Sequence, residues 1–476
     1  MQISSERRSP RRAGPYLIVN RTAVRRVSAD MRNEPFVPLR RGCVWRCLLA
    51  LALSNAGADA GAQETPVAFV GAKIITVSGN DIEGGVLVFE AGKIKSVGPP
   101  GAAVPPGAVV RNLAGKVIMP GLVDTHSHIG GVPTGEPSAP IQPELRVMDA
   151  FDVRDPTVQK AQAGGITTAN VMSGSGLLCS GQTVYLKLRD GESIDDMLMT
   201  NKYGRVAGGL KMANGTNSRR DPPFPGTRAK SAALVREKFI AALEYRDKIE
   251  RAKGDPEKLP ARDLALESLV EVLKGERIVQ HHTHRHDDIL TVLRLQKEFG
   301  FRVVLHHVSD AWKVADEIAA AKTPCSVIVV DSPGGKIEAR DVDFKTAAVL
   351  EKAGVLTGFH TDDPITDSRL FLRSAALGVR GGMTRAGALK AMTLAGAAML
   401  DLEERIGSLE AGKDADFIVL SGDPLSVYTH VEETWIEGRK VFDRSDPKDR
   451  LWSTGGPGAG KPRDGLGCCF GEEEPR

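Results

Sequence analysis

The stretch Val117-Ile-Met-Pro-Gly-Leu-Val-Asp-Thr-His-Ser-His128 decides the reading of the fold. Two short apolar runs flank a Pro-Gly turn, and the second runs out into two histidines spaced by one residue. Alternate residues leaving a strand end turn toward the same side, and imidazole is the commonest protein metal ligand. His126 and His128 are therefore expected to share one ion.

The other histidines extend this pattern. The chain has 10: His126, His128, His281, His282, His284, His286, His306, His307, His360 and His430. All but His430 fall at or just past the end of an expected strand. Such strands end at Asp124, Met172, Leu188, Lys211, His282, His307, Asp331 and Asp362, and helix-period stretches follow several of them, at 232–250, 287–298, 311–321, 343–352 and 384–399. This alternation predicts βα units on a parallel sheet. Over residues 117–400 it fits an α/β fold of the (β/α)8 TIM-barrel type, about 250 residues, whose strand ends meet at one catalytic mouth. Successive strand side chains face opposite ways, so one of His281/His282 and one of His306/His307 is expected to point away from the interior. A strand-end histidine can also be merely capped or solvated, and His430 reads as structural.

Strand-like, turn-punctuated sequence also occupies 67–117 and returns at 415–442. Short all-β segments bury little alone, so the two ends are expected to combine into a small composite β-sandwich. The expected division is 1–62 as an export signal or disordered segment, 63–118 as the first sandwich part, 119–400 as the barrel, 401–445 as the second sandwich part and 446–476 as a flexible tail. Before Gln63, a basic flank, a short apolar core and the small residues Ala58-Asp-Ala-Gly-Ala62 resemble a secretory signal. Export to the periplasm is expected, with a cytoplasmic location as the alternative. No segment reaches the roughly 20 apolar residues of a membrane span.

Composition narrows the function. Lys+Arg 63 against Asp+Glu 60 leaves a net charge of +3, which argues against a nucleic-acid surface. Aromatic content of 5% offers few stacking platforms for bases. No GxGxxG or GxxxxGK[ST] opens a helix after a strand, and Ser173-Gly-Ser-Gly176 reads as a strand-end turn. The 6 cysteines include no CxxC pair, Cys468-Cys469 being only a weak metal hint, so any metal is expected on other ligands.

Residues 117–128 resemble the metal-dependent amidohydrolase superfamily, whose first barrel strand carries PG-[LF]-[IV]-D-x-H-x-H. The likeness extends over most of 65–442, including Arg405-Ile-Gly-Ser-Leu-Glu-Ala-Gly-Lys-Asp-Ala-Asp-Phe417, and is greatest to the imidazolonepropionase-like branch, which includes exported and prolidase-type members. The resemblance implies His126, His128, His282, His307 and Asp362 as metal ligands. It also implies Lys211 in the place of a carbamylated lysine bridging two ions. The glycine of that lysine motif comes one residue early here, at Gly215.

The activity implied is hydrolysis of an amide, cyclic amide or dipeptide bond. Zn2+, as one or two ions, would lower the pKa of water to about 7, with Asp362 as general base and then acid and His284 or His307 as an electrophilic helper. Arg219 and Arg220 are expected either to meet a substrate carboxylate or to be solvated. A homo-oligomer formed through an exposed sandwich edge is a further expectation. The alternative function is a catalytically silent amidohydrolase-like scaffold, which has no need of all these ligands together; metal storage is a third reading.

Overall fold

The computed structural model describes residues 65–132, 134–329 and 336–455. The expected signal segment, Asp331 and Cys468-Cys469 lie outside them. The fold is mixed α/β.

The chain starts in β1 (Val67–Ile74), β2 (Ile82–Glu90), β3 (Lys93–Gly98), β4 (Val109–Asn112) and β5 (Val117–Pro120). It then passes through β6 (Leu122–Ser127), β7 (Ile166–Val171), β8 (Cys179–Gln182), β9 (Val184–Lys187) and β10 (Leu210–Ala213). Next come β11 (Val279–Thr283), β12 (Val303–His307), β13 (Cys325–Ile328) and β14 (Thr357–His360). It ends in β15 (Phe417–Leu420), β16 (Val431–Ile436) and β17 (Arg439–Asp443).

Both ends of the chain share one 8-stranded sheet, ordered β17-β16-β15-β5-β1-β2-β3 with β4 on β1. Its core is aromatic: Phe69 and Phe89 from the first part pack at 5.2–5.7 Å on Phe417 and Trp435 from the second. Such pairs are worth about 0.5–1.5 kcal/mol beyond burial, so distant segments are joined by side chains as well as by the β5–β15 ladder.

The Pro120-Gly121 turn leads from this sheet into β6. Gly121 N donates to Asp416 O at 3.0 Å, and a Cβ there would sit 2.2 Å from the Thr167 side chain. Only glycine lets β6 leave the sheet so close to β7.

Strands β10 to β14 pair in parallel in sequence order, and β6 pairs in parallel with β7. Beyond β14, Asp362 N donates to His126 O (2.9 Å) and Thr361 N to the Asp124 carboxylate (3.0 Å), tying the last of these strands to the first.

The third expected strand differs. Segments β8 and β9, which lead up to Leu188, run antiparallel to β10 and β7. A parallel crossover needs about a dozen residues or more, and only residues 172–178 separate β7 from β8. The short link forces the chain to double back.

Helices follow where expected, with shifted bounds: Arg228–Ala252, His286–Phe299, Ala315–Ala320 and Lys345–Lys352, while 384–399 is split into Arg385–Ala391 and Leu394–Met399. His286–Phe299 shows the local cause, with Asp287 and Asp288 in its first turn and Gly300 left-handed (φ 73°) after its last.

The tail expectation is corrected at Pro447–Thr454, which is helical. Asp446 caps it by accepting from Lys448 N, and Pro447 occupies the first turn, where its missing N–H costs nothing. Among the described residues, no helix is long and apolar enough to cross a membrane.

Candidate metal centre

The ends of β6, β10, β11, β12 and β14 bring the expected ligands together. Three sets of side chains place their ligand atoms within 4.8 Å of one another: His126, His128 and Asp362; His282, His284 and His307; and His126, His307 and His360. All of these residues are buried.

His128 Nε2 lies 3.0 Å from Asp362 Oδ1, and His126 Nε2 lies 3.4 Å from the same oxygen. His128 Nδ1 faces Met172 O at 2.7 Å, and His284 Nδ1 faces Ser309 Oγ at 2.9 Å. A backbone or hydroxyl partner on one ring nitrogen orients the other toward an ion. Lys211 Nζ reaches His126 Nε2 at 3.0 Å and Met172 Sδ at 3.3 Å, which puts it inside the cluster.

Burial acts on these rings in one direction. It holds His126 well below its ordinary pKa, assisted by Lys211, and it does the same to His282 and His307 with help from neighbouring cations and imidazoles. The rings are therefore neutral at physiological pH and keep the lone pair a metal needs. Both ring nitrogens of His282, His307 Nε2 and His126 Nδ1 are buried and find no hydrogen-bond partner among the described residues. An unsatisfied buried polar atom costs about 1–3 kcal/mol. Orphaned imidazole nitrogens facing a carboxylate fit a divalent cation.

The two histidine doublets behave differently. His281 turns away toward the surrounding helices, beside Val235 and Leu295, and burial lowers its pKa to about 4. His282 turns inward, as alternation requires. His306 and His307, however, both face His126, with ring centroids at 4.9 and 4.7 Å. His307 and Val308 adopt left-handed backbone, φ 69° and 46°, and this breaks the alternation expected of a strand. His306 Nε2 meets Gln280 Oε1 at 2.7 Å, leaving His307 to join both three-histidine sets. Asp362 is also left-handed, φ 51°; strain of this kind clusters at functional sites.

Sequence reasoning left His360 between ligand and bystander. Its Nε2 lies 3.1 Å from His307 Nδ1 and its Nδ1 2.7 Å from Ser326 Oγ, which in turn meets Thr125 Oγ1 at 2.6 Å. The supporting hydroxyls had no detectable signal in the sequence. Asp124, the aspartate of the quoted motif, has a buried carboxyl that accepts from Thr361 and is pushed up to about 7 by burial.

The Arg pair is divided. Arg220 stacks its guanidinium 3.8 Å from the Phe224 ring and donates to Gly176 O. Arg219 lines a separate cavity beside the cluster.

A mixed α/β framework that gathers at its strand ends histidines and an aspartate able to hold a metal ion is the arrangement of a candidate hydrolase site. The Amidohydrolase family matches residues 117–441, and the chain belongs to that family. Within it the chain is imidazolonepropionase-like: it is 27% identical over 374 residues to an imidazolonepropionase of Pseudomonas entomophila, covering 71% of this chain and 87% of that one. It is also 28% identical over 392 residues to the amidohydrolase tasK of Hapsidospora irregularis, covering 75% of this chain but 40% of tasK. A crystal structure of an amidohydrolase from Thermotoga maritima superposes with a TM-score of 0.74 at 32% identity, over 79% of this chain and 100% of that one. The protein is an enzyme that hydrolyses carbon–nitrogen bonds.

Proposed function

We propose that the protein is a zinc-dependent amidohydrolase that cleaves an amide, cyclic amide or dipeptide bond at a two-ion centre. The observation that carries this is the pair of buried side-chain groups, His126, His128 and Asp362 against His282 and His307, with Lys211 beside His126. Neutral imidazoles and a carboxylate suit Zn2+. Carbamylation of Lys211, which joins its amine to carbon dioxide with loss of a proton, would add the bridging carboxylate the two sets lack between them.

A bound divalent ion supplies Lewis acidity, bringing the pKa of water to about 7 and polarising the scissile carbonyl. The chain's own residues do the rest. Asp362 takes the proton of the attacking water and delivers it to the departing nitrogen. Its left-handed backbone and the bond from its N–H to His126 O hold the carboxylate in the cluster. His284, fixed by Ser309, faces the substrate as a hydrogen-bonding electrophile.

The scaffold alternative is disfavoured by the same atoms, since a binding protein gains nothing from burying imidazole nitrogens without partners. The strands β6 to β14 are read as a (β/α)8 barrel and the two-ended sheet as the composite sandwich. The basic and then apolar segment before Gln63 supports export. Elemental mass spectrometry of protein purified without chelator tests the reading: about two zinc ions per chain are expected, and metal-free protein with undiminished hydrolysis would end it.

A further inference from the structure

The two ring nitrogens of His307 stand in different surroundings. Its Nε2 is buried and meets no hydrogen-bond partner among the described residues. Its Nδ1 lies 3.1 Å from His360 Nε2, while Asp362 Oδ2, the carboxylate oxygen on that side, stands 3.8 Å away. That is beyond hydrogen-bond reach, so the group that meets Nδ1 is an imidazole and not a carboxylate.

His360 is itself held from behind. Its Nδ1 lies 2.7 Å from Ser326 Oγ, Ser326 Oγ lies 2.6 Å from Thr125 Oγ1, and Thr125 Oγ1 donates to Phe359 O at 3.3 Å. The row runs from His307 on β12 through β14 and β13 to β6, and all four of its residues are buried. The His126 ring stacks on that of His360 at 5.0 Å, with 20° between the planes, which keeps the second ring from turning.

A backbone carbonyl can only accept, and a neutral imidazole carries one N–H. These two facts fix the direction of the protons. With Thr125 donating to Phe359 O, Ser326 donates to Thr125 and His360 Nδ1–H donates to Ser326. The lone pair left on His360 Nε2 then accepts from His307 Nδ1–H. The reverse direction gives up the bond to Phe359 O and leaves a buried N–H on His307 Nε2 without an acceptor, a fault that costs about 1–3 kcal/mol.

We infer that His360 is a positioning residue: it accepts the Nδ1 proton of His307 and so turns the Nε2 lone pair of His307 toward the ion. A ligating imidazole usually donates its other N–H to a carboxylate, a backbone carbonyl or water; here an imidazole backed by two hydroxyls takes that place. The competing role is direct binding of the ion by His360, whose ligand atom lies within 4.8 Å of those of His126 and His307. The inference rests on the metal-centre reading above.

The test begins with metal-free protein carrying 15N-labelled histidine, the signals of His307 being those lost in His307→Gln. Nuclear magnetic resonance should find the proton of His307 on Nδ1; a proton on Nε2 overturns the inference. Zinc affinity, read by competition with a chelator, is then compared for wild type, His360→Leu, His360→Gln and Ser326→Ala. His360→Leu removes the acceptor and is expected to weaken the binding of one ion about 10- to 100-fold. Ser326→Ala, one step further back, should weaken it less. His360→Gln, whose amide oxygen reaches the place of Nε2, should restore most of the loss. A glutamine variant as poor as the leucine variant, or a move of His360 Nε2 to a metal-bound resonance when zinc is added, makes His360 a ligand and overturns the inference. So does wild-type affinity in His360→Leu. If that variant fails to fold, the tautomer in wild type and the affinity of Ser326→Ala decide. Wild type that takes no zinc yet carries the His307 proton on Nδ1 upholds the direction of the row and counts against the zinc reading instead.

Discussion

Lys211 Nζ lies 3.0 Å from His126 Nε2 inside a buried cluster of imidazoles. Two basic groups at this distance repel if both are protonated, and Lys211 indeed helps hold His126 neutral. The proposed carbamylation would turn the lysine from a competitor of the metal into a ligand.

Lys211→Ala is therefore expected to lower the metal content from two ions per chain to one or none, and to reduce turnover at least tenfold. Elemental mass spectrometry with bicarbonate present reads the first effect. An unchanged two-ion stoichiometry would falsify the bridging role.

Asp362→Asn preserves the size of the side chain and the bond from Asp362 N to His126 O, but removes the proton acceptor. Turnover should fall by about 10²–10⁴-fold, the usual contribution of a general acid–base, while the fold persists by circular dichroism. A variant with near-wild-type kcat would assign the proton transfer elsewhere.

Acid should destabilise the metal-free protein. Burial depresses the pKa of His281 to about 4 and drives His282, His306 and His307 well below their ordinary value near 6.5. A group with a lowered native pKa binds its proton more readily when unfolded, so stability falls as pH drops through about 6.5. Asp124, raised to about 7 by burial, and the buried Asp363 and Asp416, also raised by burial, work in the opposite sense, but with His126 the imidazoles held low number five. The Tm of chelator-treated protein should decline from pH 7 to pH 5; a Tm that is flat or rises over that interval would contradict the neutral state of the rings.

Lys187→Met addresses the other end of the strands. Lys187 is fully buried and meets Asp414 at 2.5 Å, Asp416 at 3.1 Å and Glu437 at 3.0 Å. Burial lifts the Asp414 and Glu437 carboxyls, yet the cations around them prevail and hold both at about 2. Without the lysine, Asp414 keeps Lys93 and Arg405, and Glu437 keeps Arg189, but the buried Asp416 loses its cation, at a cost of about 3–5 kcal/mol. Denaturant unfolding should show that loss, with kcat retained below the new midpoint. A stable variant would mean that solvent or another cation reaches these carboxylates.

The candidate metal ligands were legible because their signal is local: a strand end, a His-x-His pair and an aspartate after the last strand can be seen without knowing the fold. The order of strands and helices was likewise visible in the alternation of apolar runs, and the capped helix at Pro447–Thr454 could have been read from Asp446-Pro447. By itself, then, the sequence determined which residue types stand at the strand ends and that the chain builds a mixed α/β framework.

The tertiary structure decided what depends on backbone path and on residues far apart in the chain. A seven-residue link turned β8–β9 antiparallel, because no crossover can be made in that length. Left-handed backbone at His307 and Val308 brought both members of one doublet inward, while ordinary strand alternation separated His281 from His282. Two adjacent arginines parted because Arg220 found Phe224 and Arg219 bonded Gly215 O on the wall of a cavity. A residue's identity is written in the chain, but its direction and its partner are set by backbone geometry and by neighbours folding brings from elsewhere.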